Sequence, residues 1–280
     1  EYVDEFYSTE QHGFADANEY NAHKNKMLKS VYENGGFYVG KYETGIADTE
    51  PDVIDTNHEA RSAEGEATQT PVIQANAYPY NWVTNKQAQE LAESFKTTGY
   101  ETSLMFGVQW DLVMKYLENK YIATQAELIT DSSGWGNYNT GAYVQTGSND
   151  TYSKQNIYDL AGNVAEWSLE NPGISNYPTA SKGGHYNLTG TAWPANSQYL
   201  ANSQTSEQNT GFRTALYRDE GTSSSSSTGG VVADVVDPLW TIKNINIDKT
   251  NKKAVKFGEE HVFMKKILIV DGQGGKIGRG

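Results

Sequence analysis

Every sustained helical period in this 280-residue chain lies before Lys120, and that one-sidedness limits what it can fold into. "EYNAHKNKMLKSVYENGG" sets Tyr20, Met27, Leu28 and Val31 near one helical face and stops at Gly35 and Gly36. "TNKQAQELAESF" opens with Thr84 and Gln87 at capping-box spacing and places Ala88, Leu91, Ala92 and Phe95 on one side. "FGVQWDLVMKYLENK" repeats the pattern with Trp110, Val113, Met114 and Leu117, four core candidates. Between the first two, "GFYVGKYETG" alternates Phe37, Val39 and Lys41 against Tyr38, Gly40 and Tyr42, a strand signal. After about Ile129 no period is sustained: short polar segments rich in Gly, Asn and Tyr take over, interrupted by "NIYDLAGNVAEW" and "GFRTALY". Helices first and irregular loops with short strands later predict an α+β domain whose long loops carry the function.

The domain is expected to span residues 1–218. "DEGTSSSSSTGG", within 219–233, has linker composition. Residues 234–258, with "DPLWTIKNINIDKTNKKAVKF", read as two strands around a turn, a partial Ig-like β segment too short to be stable alone. Residues 259–280 differ again: "MKKILIVDGQGGKIGRG" predicts a strand over Ile267–Val270 and a Gly-rich turn, with no helix to complete a dinucleotide-binding unit. This tail reads as the start of a different reading frame joined to this one.

Charge and composition remove several classes of function. With 22 basic and 35 acidic residues the net charge is −13, which opposes binding to nucleic acid and to anionic membranes. Cysteine is absent, which excludes disulfides, thiolate metal sites and thiol nucleophiles together. No run reaches the roughly 20 apolar residues of a membrane helix, so no membrane insertion is expected. The chain begins at Glu1, and a targeting segment is expected to lie outside it. Nineteen Tyr against 8 Phe, in a background of Asn, Ser, Thr and Gly, suit a surface that binds through rigid amphipathic rings and short polar groups. The same composition also fits a β-rich fold with many polar loops.

"YDLAGNVAEW" places Asp159 and Glu166 around a small Ala-Gly-Asn turn. Three readings stay open: a cation site, ordinary turn chemistry, or a glycosidase pair, which needs two carboxylates about 5 to 9 Å apart beside an accessible groove. The histidines, His12, His23, His58, His185 and His261, show no metal-ligand spacing.

The run "GGFYVGKYETG", "TSLMFGVQWDLVMKYL", "NIYDLAGNVAEWSLE", "KGGHY" and "GFRTALY" resembles, in order and spacing, the formylglycine-generating-enzyme (sulfatase-modifying factor) family, over roughly Tyr20 to Arg218. The resemblance implies a C-type-lectin-like core with long surface loops, a fold that serves both enzymes and binding proteins. Family oxidases bind copper through two cysteines downstream of the Gly-Gly pair. Counted from Gly183 and Gly184, those positions fall at about Leu188 and Trp193, so neither copper binding nor the oxidase reaction is expected. By the same resemblance Asp159, Gly162, Val164 and Glu166 match a structural calcium (Ca2+) site, two carboxylates and two backbone carbonyls being hard oxygen donors of the kind calcium takes.

Between Gly184 and Gly211, "HYNLTGTAWPANSQYLANSQTSEQNT" is almost free of charge and dense in amides, hydroxyls and aromatics. It is similar to the variable segment of retroelement-diversified lectin-fold proteins. Tyr186, Asn187, Trp193, Asn196, Gln198, Tyr199, Gln204 and Gln208 are the candidate ligand contacts, rigid rings supplying area and amides supplying adaptable hydrogen bonds. The alternative for Tyr186 and Trp193 is core packing beneath loops, and Arg213 is expected to hold loops in place. The expectation is a non-catalytic ligand-recognition domain of a bacterial surface, secreted or phage-related protein. Its partner would be a protein or glycan on another cell or molecule. The alternatives are an enzyme of the same superfamily with another activity, and a structural spacer.

Overall fold

The structure is a computed structural model that describes residues 4–47, 61 and 63–219, and the backbone of 255–257, 260–263 and 265–267. A single turn, α1 (Thr9–His12), precedes the long helix α2 (Ala17–Asn34). Asp16 caps α2 by accepting from the amides of Asn18 and Glu19, and Gly35, in the left-handed region at φ 71°, ends it. Tyr20, His23, Met27 and Val31 form its buried stripe. Strand β1 (Phe37–Val39) follows, shorter than the alternation to Tyr42 predicts. Strands β2 (Gly45–Ile46), β3 (Pro71–Val72) and β4 (Tyr78–Pro79) make a small sheet in the order β3-β2-β4.

Helix α3 (Asn85–Glu93) begins where its sequence says: Thr84 and Gln87 close a reciprocal capping box. Beyond it come β5 (Tyr100–Leu104), α4 (Gly107–Asn119) and α5 (Gln125–Ile129). Helix α4 buries Trp110, Val113, Met114 and Leu117 in the main core, as its period requires. Its first two amides are capped from far away, since Asp4 accepts from Gly107 N at 2.9 Å and Val108 N at 3.2 Å. Among the described residues no helix is long and apolar enough to cross a membrane.

The second half is built from short strands held by loops. The hairpin β6 (Ser153–Lys154) and β7 (Ile157–Tyr158) leads into β8 (Ala165–Ser168), β9 (Thr179–Lys182), β10 (Gln198–Ala201) and β11 (Thr210–Phe212). These last four pair in the order β10-β9-β8-β11. After Arg213 the chain continues as β12 (Thr214–Arg218), between β1 and β5 in another sheet. The sequence suggests one alternating strand through "GFRTALY"; the structure has two, and every residue from Thr210 to Tyr217 is buried. A strand that passes between two sheets is covered on both faces, so its pattern is continuous instead of alternating.

Short strands β13 (Val255–Phe257), β14 (Glu260–Phe263) and β15 (Lys265–Ile267) complete the described backbone. The expected linker beyond Asp219, the Ig-like segment up to Ala254 and the predicted strand beyond Ile267 lie outside the described residues. Strand β15 pairs antiparallel with the free side of β1, Phe37 opposite Ile267, giving the order β15-β1-β12-β5. The architecture is therefore mixed α+β, with few helices and several small sheets.

Candidate recognition face and the buried acids behind it

The turn that carries Asp159 and Glu166 is shaped by left-handed backbone at Asp159, Gly162 and Asn163. It folds both acids inward, and each is 1% exposed. Glu166 forks onto Arg213, with Nε 3.0 and 3.1 Å from its two oxygens and a terminal nitrogen 2.6 Å from Oε1. Arg213 also donates to the carbonyls of Gly40 at 3.0 Å and Tyr158 at 2.7 Å, so one guanidinium ties β1, β7 and β8 to the β11–β12 junction. This is the loop-holding role expected for Arg213.

A third acid, absent from the sequence reading, joins them. Glu43 is fully buried and accepts from Asn163 Nδ2 at 2.6 Å and from the Val164 amide at 3.1 Å. Asp159 accepts from the Gly147 amide at 2.7 Å, while its Oδ1 is buried without a partner. Three carboxyls thus share one guanidinium. Burial is the largest influence on all three: it lifts Glu43 well above the carboxylate range, Asp159 to about 6 and Glu166 to about 7, with the Arg213 charge drawing Glu166 back down. The glycosidase reading fails here, because both acids of the pair are inside the protein and Glu166 is occupied by Arg213. Among the described residues no group of three or more His, Cys, Asp or Glu is placed to hold a metal.

The predicted contact residues separate into an outer set and an inner set. Asn187, Asn196, Tyr199 and Gln204 are exposed, Trp193, Gln198 and Gln208 are half-buried, and Tyr186 is buried at 3% exposure. Tyr186 therefore leaves the proposed face. It packs edge-on against Tyr143, ring centres 5.9 Å apart, and belongs to the support under the loops. Gln198 is half committed as well, because its Oε1 accepts from Lys182 Nζ at 2.8 Å and Lys182 in turn pairs with Glu170 at 2.5 Å. Tyr199 remains 44% exposed and leans on Trp193, ring centres 5.7 Å apart at 52°.

The loop is held from outside itself. Ser132 N donates to Gly190 O, Asn139 N to Leu188 O, Thr140 N to Tyr186 O, Asn196 N to Leu128 O and Trp110 Nε1 to Ala195 O, all within 2.8–3.2 Å. The Ser132 hydroxyl accepts from Ala195 N at 2.7 Å and donates to Glu127 O at 2.5 Å. Tyr138 Oη lies 2.7 Å from Gly183 O and 2.8 Å from Trp193 O, and its single proton serves one of them. Gln208 sits apart, its backbone carbonyl accepting from Asn81 Nδ2 at 2.9 Å. His185 is a satisfied turn residue, one ring nitrogen meeting the Asn187 amide and the other Asn209. Sequence reasoning missed the short helix α5, whose Leu128 carbonyl accepts from Asn196 N at 3.2 Å, because it lies beyond the last sustained helical period.

No protein-family model and no curated protein matches the chain. Among solved structures, Treponema denticola variable protein 1 aligns at a TM-score of 0.33 and 16% identity over 42% of this chain. The chain spans about half of that protein, 48% of its length. CarF aligns at a TM-score of 0.38 and 17% identity, over 70% of this chain and 83% of CarF. At these values neither neighbour assigns an activity.

Proposed function

We propose that residues 187–204, with Tyr199 at their centre, form the contact surface of a non-catalytic ligand-recognition domain on a C-type-lectin-like scaffold. The observation that carries this reading is the division within the loop: the backbone of residues 186–196 is fixed by residues 110 and 127–140 and that of 198–201 by β9, while Asn187, Asn196, Tyr199 and Gln204 are exposed with no side-chain hydrogen bond among the described residues. A surface already ordered before contact loses little entropy on binding, and an exposed tyrosine braced by a tryptophan is a typical energetic anchor. Only Glu207 is charged between Asn187 and Asn209, so recognition rests on rings and amides, and the partner is a protein or glycan surface outside the cell that makes this protein. The buried acids serve as the clamp beneath. The unpartnered Asp159 oxygen and the carbonyls of Gly162 and Val164 would offer donors to one calcium ion, and Glu166 would complete the set by giving up part of its fork onto Arg213.

The test is a protein and glycan array probed with the domain, followed by paired melting and binding of Tyr199→Ala. The expected result is a loss of about 2 kcal/mol or more in binding with an unchanged melting temperature. Intact folding with unchanged affinity would remove Tyr199 from the surface, and an unfolded variant would place it in the core.

A further inference from the structure

We propose that the outer edge of β10 is a strand-docking site, where an extended segment of a polypeptide partner adds a fifth strand to the β10-β9-β8-β11 sheet. The inference rests on the recognition reading above and names the partner's chemistry. Strand β10 ends the sheet, paired on one side only through Gln198–Lys182, Tyr199–Ser181, Leu200–Ala180 and Ala201–Thr179. The phase of that ladder follows from the residue just before it, because Gly183 N donates to Ser197 O at 3.3 Å. Ser197 N is taken by Pro194 O, but its carbonyl sets the phase; antiparallel pairs alternate, so Tyr199 and Ala201 bond to β9, while the N–H and C=O groups of Gln198 and Leu200 face outward. Among the described residues nothing pairs with them.

Exposed edges are ordinarily blunted by charge, proline or a bulge. Strand β5, which ends the other four-stranded sheet, has Glu101 in an ion pair with Lys26 at 2.8 Å. At the far side of the β10 sheet, β11 is covered, Phe212 O accepting from Thr44 N at 2.9 Å. The β10 sequence, Gln-Tyr-Leu-Ala, has no charge and no proline, and its register runs without a shift. An added strand would meet two outward peptide groups, and its alternate side chains would reach the Tyr199–Trp193 ring pair, which suits an uncharged segment with apolar residues at every second position. A second copy of this chain is the poorer occupant, since two molecules of net charge −13 repel.

The experiment screens the full chain against a library of synthetic uncharged heptapeptides and measures each enriched peptide on wild type, Leu200→Pro and Tyr199→Ala. Proline at 200 removes an outward N–H without touching the β9 ladder. The expected result is a loss on the order of tenfold for Leu200→Pro. N-methylation along the peptide should weaken binding at alternate residues only. Peptides that bind Leu200→Pro as tightly as wild type, yet lose Tyr199→Ala, overturn strand docking and leave the recognition surface standing. Equal binding to all three proteins overturns both. Enrichment of no peptide overturns strand docking, while the protein and glycan array judges the surface separately. If Leu200→Pro unfolds, the N-methyl scan on wild type decides: an alternating pattern supports docking and a flat one overturns it. A wild-type dimer at micromolar concentration that Leu200→Pro returns to monomer identifies the occupant as a second copy and overturns the foreign-segment proposal.

Discussion

Replacing Arg213 by methionine should be among the most damaging single substitutions in the domain. Methionine fills much of the same space but removes the positive group from a fully buried position. The loss includes the fork onto Glu166 and the bonds to Gly40 O and Tyr158 O. It also leaves Glu43, Asp159 and Glu166 together with no counter-charge. Breaking a buried ion pair from one side typically costs about 3–5 kcal/mol. For a domain of this size each kcal/mol moves the midpoint by roughly 2–4 °C, so the expected fall is on the order of 6–20 °C at pH 7.5. Tryptophan fluorescence and circular dichroism melts over a urea series measure it. The double variant Arg213→Met with Glu166→Met should recover part of the loss, because it no longer buries an unpaired Glu166. The penalty should also shrink as the pH falls from 7.5 through about 7 and 6, where Glu166 and Asp159, raised by burial, take up protons. A loss below about 1 kcal/mol at pH 7.5, or a penalty that grows on acidification, would refute the charge argument.

Burial lowers His23 to about 3, so the ring is neutral in the fold, packed among Phe14, Phe106 and Tyr217 with Lys26 nearby. A histidine whose folded pKa is depressed contributes stability above its unfolded pKa of about 6.5 and loses it as pH falls toward the folded value; His23→Leu should therefore gain on wild type by roughly 2 kcal/mol between pH 7.5 and pH 5 in urea titrations, and a constant difference would refute the assignment. Calcium should raise the melting temperature of wild type in a chelator comparison and leave Glu166→Ala unmoved, with about 2.7 kcal/mol expected at 100 times Kd; equal wild-type melts after verified metal removal would count against the ion. Gly136→Ala should destabilise by more than about 1 kcal/mol, since its Cβ would overlap the Ala161 carbonyl oxygen; a melt matching wild type would show that the two loops part freely.

Features written locally were legible and features written at a distance were not. The Thr84–Gln87 box and the α4 period each sit within a few residues, and both helices form as read. Glu43 lies 120 positions from the Asn163 side chain it meets, and nothing in "KYETG" marks it. The acid pair was visible, but Arg213 as the occupant of Glu166 depends on a strand that changes sheets. Tyr186 looked like a contact residue because composition cannot tell an inward ring from an outward one. The backbone decides that: Thr140 N holds Tyr186 O, and its ring is edge-on to Tyr143.

The loop frame has a consequence for engineering. Asn187, Ala192, Asn196, Tyr199 and Gln204 all project from one backbone path that other residues fix, so a library randomised at these five positions should share one fold across its members. Stability effects of separate substitutions should then sum, as they do for sites without common partners. Thr189 belongs outside such a library, because its hydroxyl accepts from the Ala192 amide at 3.2 Å and helps set the turn. The domain would act as a display scaffold, its new specificities read out without recovering stability at each step.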